Sequence, residues 1–388
     1  MNYVFVPKES RPGEKRVAAT PETVAKLVER GVAVHVEPGA GDGAMVADAR
    51  YREAGGVLVQ DAAEAWSEAD VVLGVAAPTA AEAARLKEGA LRVSFLDAVR
   101  NLDAVRELVA RKASAFAMEL VPRITRAQRM DALSSQANVA GYKAVVLAAD
   151  RLPKYFPLLM TAAGTVRPAR VVVFGAGVAG LQAIATARRL GAVVEATDIR
   201  VETKEQVESL GGRFILVEDP SGQKEASVYA QEASEEYLRL QREAVAASVE
   251  QADVVVTTAQ VPGKRAPVLV SEEMVAGMKP GSVVVDLAAP QGGNCALTVP
   301  GEEVVRHGVL VAGPMNLPAE VAVHASELYA RNVLAVLELL LPKPEEEGRS
   351  PELVLDLDDE IVAESLAVLR GEVRNPLVAE ALGQTAAS

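Results

Sequence analysis

The chain has 388 residues, half of them apolar but only 4% aromatic, and a formal net charge of −13. That length accommodates two domains of ordinary size, and the acidic balance excludes a nucleic-acid binder, which needs a cationic face to displace counterions. A single cysteine, Cys295, rules out an internal disulfide or a cysteine-based zinc centre, and His35, His307 and His324 stand far apart, so no metal is expected. With so few aromatics the cores must be built from Val, Leu, Ile and Ala, a mixture suited to buried parallel strands under Ala-rich helices.

The first residues run into a strand-like segment without the basic start and apolar stretch of a signal peptide. The most apolar late run, 333–341, is broken by Glu338 and falls short of the roughly 20 residues of a membrane span. A soluble chain of the reducing cytoplasm is expected.

Strands are predicted at 3–7 and 33–37 on either side of a helix over 21–31 that stops on Gly31. Strands at 57–59, 71–75 and 91–96 then alternate with helices over 80–88 and 102–112. This is a βαβ series, which implies a right-handed, mostly parallel sheet. Gly39-Ala40-Gly41-Asp42-Gly43 reads as a turn, because no ribose carboxylate follows at the right distance and no helix opens on it. Arg, Gln, Ser and Asn crowd into 123–138 ahead of a helix over 140–150, marking the crossing to a second domain. A second series follows, with strands at 171–174, 193–197, 214–217, 254–258, 283–286 and 309–312 and a helix over 319–341.

The tail beyond is too short for a domain and is expected to pack back on the first. The expected division is 1–135 plus 330–388 against 136–329. The fold class is α/β, with two Rossmann-like doubly wound parallel-sheet domains and a cleft between them. The polar stretch 221–245 reads either as a solvated connecting helix or as a lid beside a nucleotide.

The strongest motif follows the 169–174 strand. In Gly175-Ala176-Gly177-Val178-Ala179-Gly180, Gly175 permits the tight turn, Gly177 lets backbone approach a pyrophosphate, and Gly180 lets the next helix lie close to the strand. That helix, over 181–190, offers its N-terminal amides to the phosphates. Asp198 ends the second strand where the fingerprint places a ribose carboxylate, with Ile199 and Arg200 beside it. Asp198 suits the ribose hydroxyls of NAD and opposes the extra phosphate of NADP: two like charges about 4 Å apart at an effective dielectric of about 20 cost roughly 4 kcal/mol. Arg200 is the counter-argument, since an arginine there can accept that phosphate. NAD(H) is the expected cofactor. Thr258, Ala259 and Gln260, at the carboxyl end of the 254–258 strand, are further candidate contacts.

Pro7-Lys8-Glu9, Arg16-Val17-Ala18, Thr20-Pro21 and Glu37-Pro38-Gly39-Ala40-Gly41 resemble the start shared by alanine dehydrogenases and proton-translocating nicotinamide nucleotide transhydrogenases. Met278-Lys279-Pro280-Gly281-Ser282, Val285-Asp286 and Gln291-Gly292-Gly293-Asn294 extend that resemblance over essentially the whole chain. The two families part on chemistry. Amino-acid oxidation needs a positioned acid/base and groups to hold a carboxylate, and Gly74, Asp97 and Pro290 stand where alanine dehydrogenases have a lysine, a histidine and an aspartate. Hydride exchange between two nicotinamides needs no acid or base from the chain.

The segment Pro122-Arg123-Ile124-Thr125-Arg126-Ala127-Gln128-Arg129-Met130-Asp131-Ala132-Leu133-Ser134 resembles the loop of the transhydrogenase NAD(H)-binding component. That likeness implies contacts to the nicotinamide end from Arg123, Gln128, Asp131 and Ser134, the candidate catalytic set. Tyr229 resembles the tyrosine of that family's mobile loop, although Val228 precedes it where Gly is more usual.

The resemblance also implies a homodimer that holds NAD(H) and exchanges a hydride with NADP(H) on a separate component. Proton translocation would belong to a membrane-spanning component, and the chain would sit on the inner face of the cytoplasmic membrane through these partners. A soluble NAD-dependent amino-acid dehydrogenase and a non-catalytic NAD-sensing module are the alternatives.

Overall fold

The computed structural model describes residues 3–217, 235–261, 264–343 and 350–383. Two compact units divide the chain, Met1–Gln136 with Pro318–Ser388, and Ala137–Leu317. The first contains β1 (Val4–Val6), β2 (Val34–Val36), β3 (Val57–Leu58), β4 (Val71–Leu73), β5 (Leu91–Ser94) and β6 (Ser114–Ala117). In the second, a hairpin of β7 (Leu159–Thr161) and β8 (Gly164–Val166) precedes β9 (Arg170–Phe174), β10 (Val193–Thr197), β11 (Arg213–Phe214), β12 (Val254–Thr257), β13 (Val283–Asp286), β14 (Glu303–Arg306) and β15 (Val309–Ala312). The chain then returns to the first unit with β16 (Leu366–Leu369) and β17 (Glu372–Val373).

The first sheet runs β17-β16-β6-β5-β4-β1-β2-β3, with β1 to β6 parallel, β16 antiparallel to β6 and β17 antiparallel to β16. Because successive side chains alternate faces, Val4 and Val6 join one buried cluster while Phe5 joins the other. The helix Ala322–Leu340 lays Tyr329, Val333, Val336 and Leu340 on the first of these clusters. That packing explains why the return to this unit falls at Pro318, ahead of the expected 330.

The second sheet runs β11-β10-β9-β12-β13-β15-β14 and is parallel except for β14. Val171, Val173, Val254 and Val256 face a cluster with Ala144, Ile184 and Ala187, while Val172, Val255 and Val284 face Val249 and Val275. Each sheet is therefore buried on both faces, which is what runs of valine without polar alternation demand.

Several elements differ from expectation. The helix expected over 80–88 is the single turn Ala80–Ala83, capped by a Thr79–Glu82 box. Beyond it the amides of Arg85 and Leu86 turn back to carbonyls only three residues earlier, and Leu86 is fully buried. The helix expected over 140–150 begins at Ala132, and the strand expected over 214–217 shrinks to Arg213–Phe214. β6, β14, the β7–β8 hairpin and the β16–β17 pair were not anticipated. Of the polar stretch 221–245, the described part from Glu235 lies in the helix Glu235–Gln251. Among the described residues no helix is long and apolar enough to cross a membrane, and no cluster of His, Cys, Asp and Glu could hold a metal ion.

Candidate functional site

In the second unit the carboxyl ends of β9, β10 and β12 meet around the glycine turn. Gly175 sits at φ +96°, where an L side chain is strained, and a Cβ there would come within 2.5 Å of Thr258 Oγ1. A Cβ on Gly180 would lie 1.8 Å from the Gly175 carbonyl oxygen, so the helix Val178–Arg189 can dock this closely only with glycine there. At Gly177 the nearest atom to such a Cβ is Arg200 Nη2, 3.9 Å away, which leaves the backbone open to an incoming group. Gly177 is also the N-cap of that helix and contributes no side-chain cap, so the first amides keep their donors for a ligand. Val178 is exposed beside it, and the carbonyl of Ala179 packs where a Cβ on Gly141 would stand, 2.1 Å away.

Asp198 follows β10 and closes the turn. Its Oδ2 accepts the Ala176 N–H at 2.6 Å, and its Oδ1 accepts the Arg200 N–H at 2.9 Å. The Arg200 guanidinium adds two bonds of 3.0 Å, from Nε to Oδ1 and from Nη2 to Oδ2. Burial works to raise the Asp198 carboxyl, but the bonds from Arg200 and Ala176 outweigh it and hold the group below its ordinary value. Arg200 is thus engaged with Asp198 itself, which weakens the case for a 2′-phosphate receptor. Ile199, between them, is 80% exposed.

Beyond β12, Thr258 Oγ1 donates to the Phe174 carbonyl at 3.0 Å, Ala259 N–H donates to Asn294 Oδ1 at 3.0 Å, and Gln260 Nε2 donates to the Leu287 carbonyl at 2.7 Å. The roles of Asp286, Gln291 and Asn294 in holding this segment were missed from the sequence. Their motif was visible, but nothing in it shows that it folds back on 258–261.

The candidate catalytic set lies in the first unit on one continuous segment. Ala127 and Met130, three apart on the turn Thr125–Met130, are buried, while Arg123 and Gln128 are exposed. Paired bonds from Arg126 to Asp359 and a bond from Asn332 to the Arg129 carbonyl anchor the turn. Asp131 and Ser134 are brought together as a helix cap: Asp131 accepts the Ser134 N–H at 2.8 Å and the Ser134 hydroxyl at 2.5 Å. Tyr229 lies outside the described residues.

Models of the N-terminal and C-terminal domains of alanine dehydrogenase/PNT match residues 5–140 and 144–376. The chain belongs to the alanine dehydrogenase/PNT family. It is 51% identical over 380 residues to the first part of NAD(P) transhydrogenase subunit alpha of Rhodospirillum rubrum, covering 96% of this chain and 98% of that one. A solved transhydrogenase structure from Sinorhizobium meliloti superposes with a TM-score of 0.86 at 45% identity, over 96% of this chain and 99% of that one. An alanine dehydrogenase of Mycobacterium tuberculosis is more distant, 34% identical over 82% of each chain.

Within this family, three positions are expected to separate amino-acid oxidation from hydride exchange. A Cβ on Gly74 would fall 1.7 Å from Arg92 Nη2, so the buried guanidinium already fills that space. Arg92 donates to the carbonyls of Leu73 and Ala76, while Tyr329 donates to the Gly74 carbonyl. Glu9 turns its carboxylate inward to accept the amides of Val75 and Ala76 at 2.6 and 3.3 Å, and Arg11 donates to the carbonyls of Ala77 and Pro78. Burial pushes the Glu9 carboxyl up to about 6 against the pull of Arg92. The backbone after β4, at the sheet's switch point between β4 and β1, is therefore taken up by the protein's own side chains. Asp97, at φ +40°, pairs with Arg100, and Pro290 sits in the turn Ala289–Gln291.

Proposed function

We propose that this chain is the NAD(H)-binding component of a proton-translocating transhydrogenase. The observation that carries this reading is a complete nucleotide turn with its Asp198 carboxylate, in a chain that has Gly74, Asp97 and Pro290 where the resemblance places the lysine, histidine and aspartate of amino-acid oxidation. The likeness, over nearly the full length, to the first part of a transhydrogenase alpha subunit supports it.

The amides after Gly177 would hold the pyrophosphate and Asp198 the adenosine ribose, with Ile199, Arg200, Thr258, Ala259 and Gln260 around them. NAD(H), when bound, supplies or accepts the hydride. Gln128 and Arg123 offer a donor and acceptor pattern suited to a carboxamide, and the Asp131–Ser134 cap fixes the segment that bears them. This is orientation rather than proton chemistry, and orientation of the reacting centre acts mainly on the chemical step.

NADP(H) would be held by a separate component and proton movement by a membrane-spanning one, through which this chain sits on the inner face of the cytoplasmic membrane. A homodimer completes the proposal, supported by the exposed apolar hairpin of β7 and β8. The deciding experiment mixes this chain with a transhydrogenase NADP(H)-binding component and follows NADH-dependent reduction of NADP+. No reduction, together with steady NADH formation from NAD+ and a small amino acid, would transfer the chain to the dehydrogenase branch.

A further inference from the structure

Asp286 ends β13 with its carboxylate fully buried, and five donors converge on it. Thr257 Oγ1 and the Ala288 amide reach Oδ1 at 2.8 and 2.9 Å, while the amides of Asn294 and Cys295 and the Thr298 hydroxyl reach Oδ2 at 2.7, 2.9 and 2.7 Å. The turn comes this close because Gly293, at φ +88°, has no side chain, and a Cβ there would stand 2.8 Å from Asp286 Oδ2. Held by its own backbone, the buried Asn294 commits its whole side-chain amide to neighbouring main chain. Oδ1 accepts the Ala259 N–H at 3.0 Å, and Nδ2 donates to the carbonyls of Ala259 and Pro267 at 2.9 and 2.8 Å. Both polar groups of Ala259 are thereby fixed, as a neighbouring strand would fix them. Gln291 extends the tie by accepting the Val261 N–H at 3.2 Å.

The position of that segment gives the tie a purpose. In the sheet β10 lies on one side of β9 and β12 on the other. A dinucleotide whose pyrophosphate rests on the β9 turn and whose adenosine ribose meets Asp198 beyond β10 must send its other half toward the end of β12. Thr258–Val261 is what it meets there. We propose that Asn294, anchored by Asp286, is the positioning residue for the nicotinamide half of the site. This deepens the proposed function and rests on it.

The side chain must be an amide, since it answers one donor and two acceptors at once. Asn294→Asp keeps the acceptor, loses the donors and points a carboxylate at two carbonyls. Asn294→Ala removes all three of these bonds and leaves Ala259 without them.

The test compares the affinities of NADH and ADP by calorimetry for the unmodified chain, Asn294→Ala, Asn294→Asp and Gln291→Ala. ADP probes the adenosine half alone. Both Asn294 variants should bind NADH roughly tenfold or more weakly, an effect of the size that small misplacements produce, with ADP affinity changed by less than about twofold. Gln291→Ala, which removes one partly exposed tie, should move NADH in the same direction by a smaller factor. Parallel loss of NADH and ADP would reduce Asn294 to a fold-stabilising residue, and unchanged NADH affinity in a folded variant would overturn the proposal outright. If the Asn294 variants do not fold, as judged by circular dichroism, Gln291→Ala decides, and unchanged NADH affinity there overturns it. An unmodified chain that binds neither probe fails at the underlying function instead.

Discussion

In the proposed function, the choice between the two nicotinamide cofactors rests on the Asp198 carboxylate and the Arg200 guanidinium that braces it. A 2′-phosphate would meet this anion at close range, at a cost of roughly 4 kcal/mol for about 4 Å and an effective dielectric of about 20. Arg200, bonded to both carboxylate oxygens, offsets part of that, so the measured discrimination should fall below the figure. NAD(H) is expected to bind clearly better than NADP(H), and Asp198→Ala to shrink the gap. Calorimetry that finds equal affinities in the unmodified chain would refute this. In the proposed function Gln128, exposed on its anchored turn, acts in the chemical step. Gln128→Asn should leave NADH affinity nearly intact while slowing hydride transfer to a partner's NADP+ about tenfold or more. Stopped-flow single turnover separates the two, and a loss explained wholly by weaker NADH binding would remove Gln128 from the catalytic set. The acidic residue at the fingerprint spacing was legible from the sequence because the strand, turn and helix around it were. Its pairing with Arg200 was not, since the side-chain geometry past a strand end is set by neighbours the sequence does not order. Asp131 and Ser134 are read from the sequence as ligand contacts, and the bonds that join them to each other at the start of the helix Ala132–Arg151 were not legible there.

The backbone after β4 carries Gly74, which stands where the resemblance places a lysine in alanine dehydrogenases. Residues 73–78 have their main-chain groups bonded by Arg92, Tyr329, Glu9 and Arg11. Glu9 gives this arrangement a pH signature. Its folded value, about 6 against an ordinary 4.5, means that folding favours the protonated form. Its contribution to stability is complete below about pH 4.5 and is lost as pH rises through about 6, a change of about 2 kcal/mol at 1.36 kcal/mol per unit. In paired urea titrations, the stability of Glu9→Gln relative to the unmodified chain should therefore improve by about that much between pH 4.5 and 7. A difference that stays flat or moves the other way would show that Glu9 is not desolvated as described. Strands rich in valine were legible here, but β6, with the sequence Ser-Ala-Phe-Ala, was not, because small residues carry little strand preference until packing supplies it. The short turn at Ala80–Ala83 was overestimated because Ala84, Arg85, Leu86, Lys87 and Glu88, all good helix formers, follow it, although the chain turns there to bury Leu86 in the core.

For the whole molecule, two successive βαβ series were legible as two parallel sheets because each has its own run of buried strands. The β7–β8 hairpin escaped notice, since no Asn-Gly or Asp-Gly turn joins it and its residues do not alternate apolar with polar. Its structure raises a question of stability. All six strand residues are exposed, and with Tyr155, Leu158 and Met160 at 60%, 54% and 71% exposure the ribbon presents apolar side chains to water. A two-stranded ribbon is marginal by itself, and apolar patches of this kind mark contact surfaces. In a symmetric pair the same patch serves both copies, so one ribbon can cover the other without a second complementary surface. Placing charge there should therefore separate the copies while leaving each core untouched. Leu158→Lys with Met160→Glu is expected to halve the molar mass measured by light scattering at concentrations where the unmodified chain is a dimer. The melting temperature of the unmodified chain should also rise with concentration, because association stabilises by mass action, and that dependence should vanish in the variant. A variant that stays dimeric would place the interface elsewhere, and an unmodified chain that is monomeric throughout would remove the dimer from the proposal.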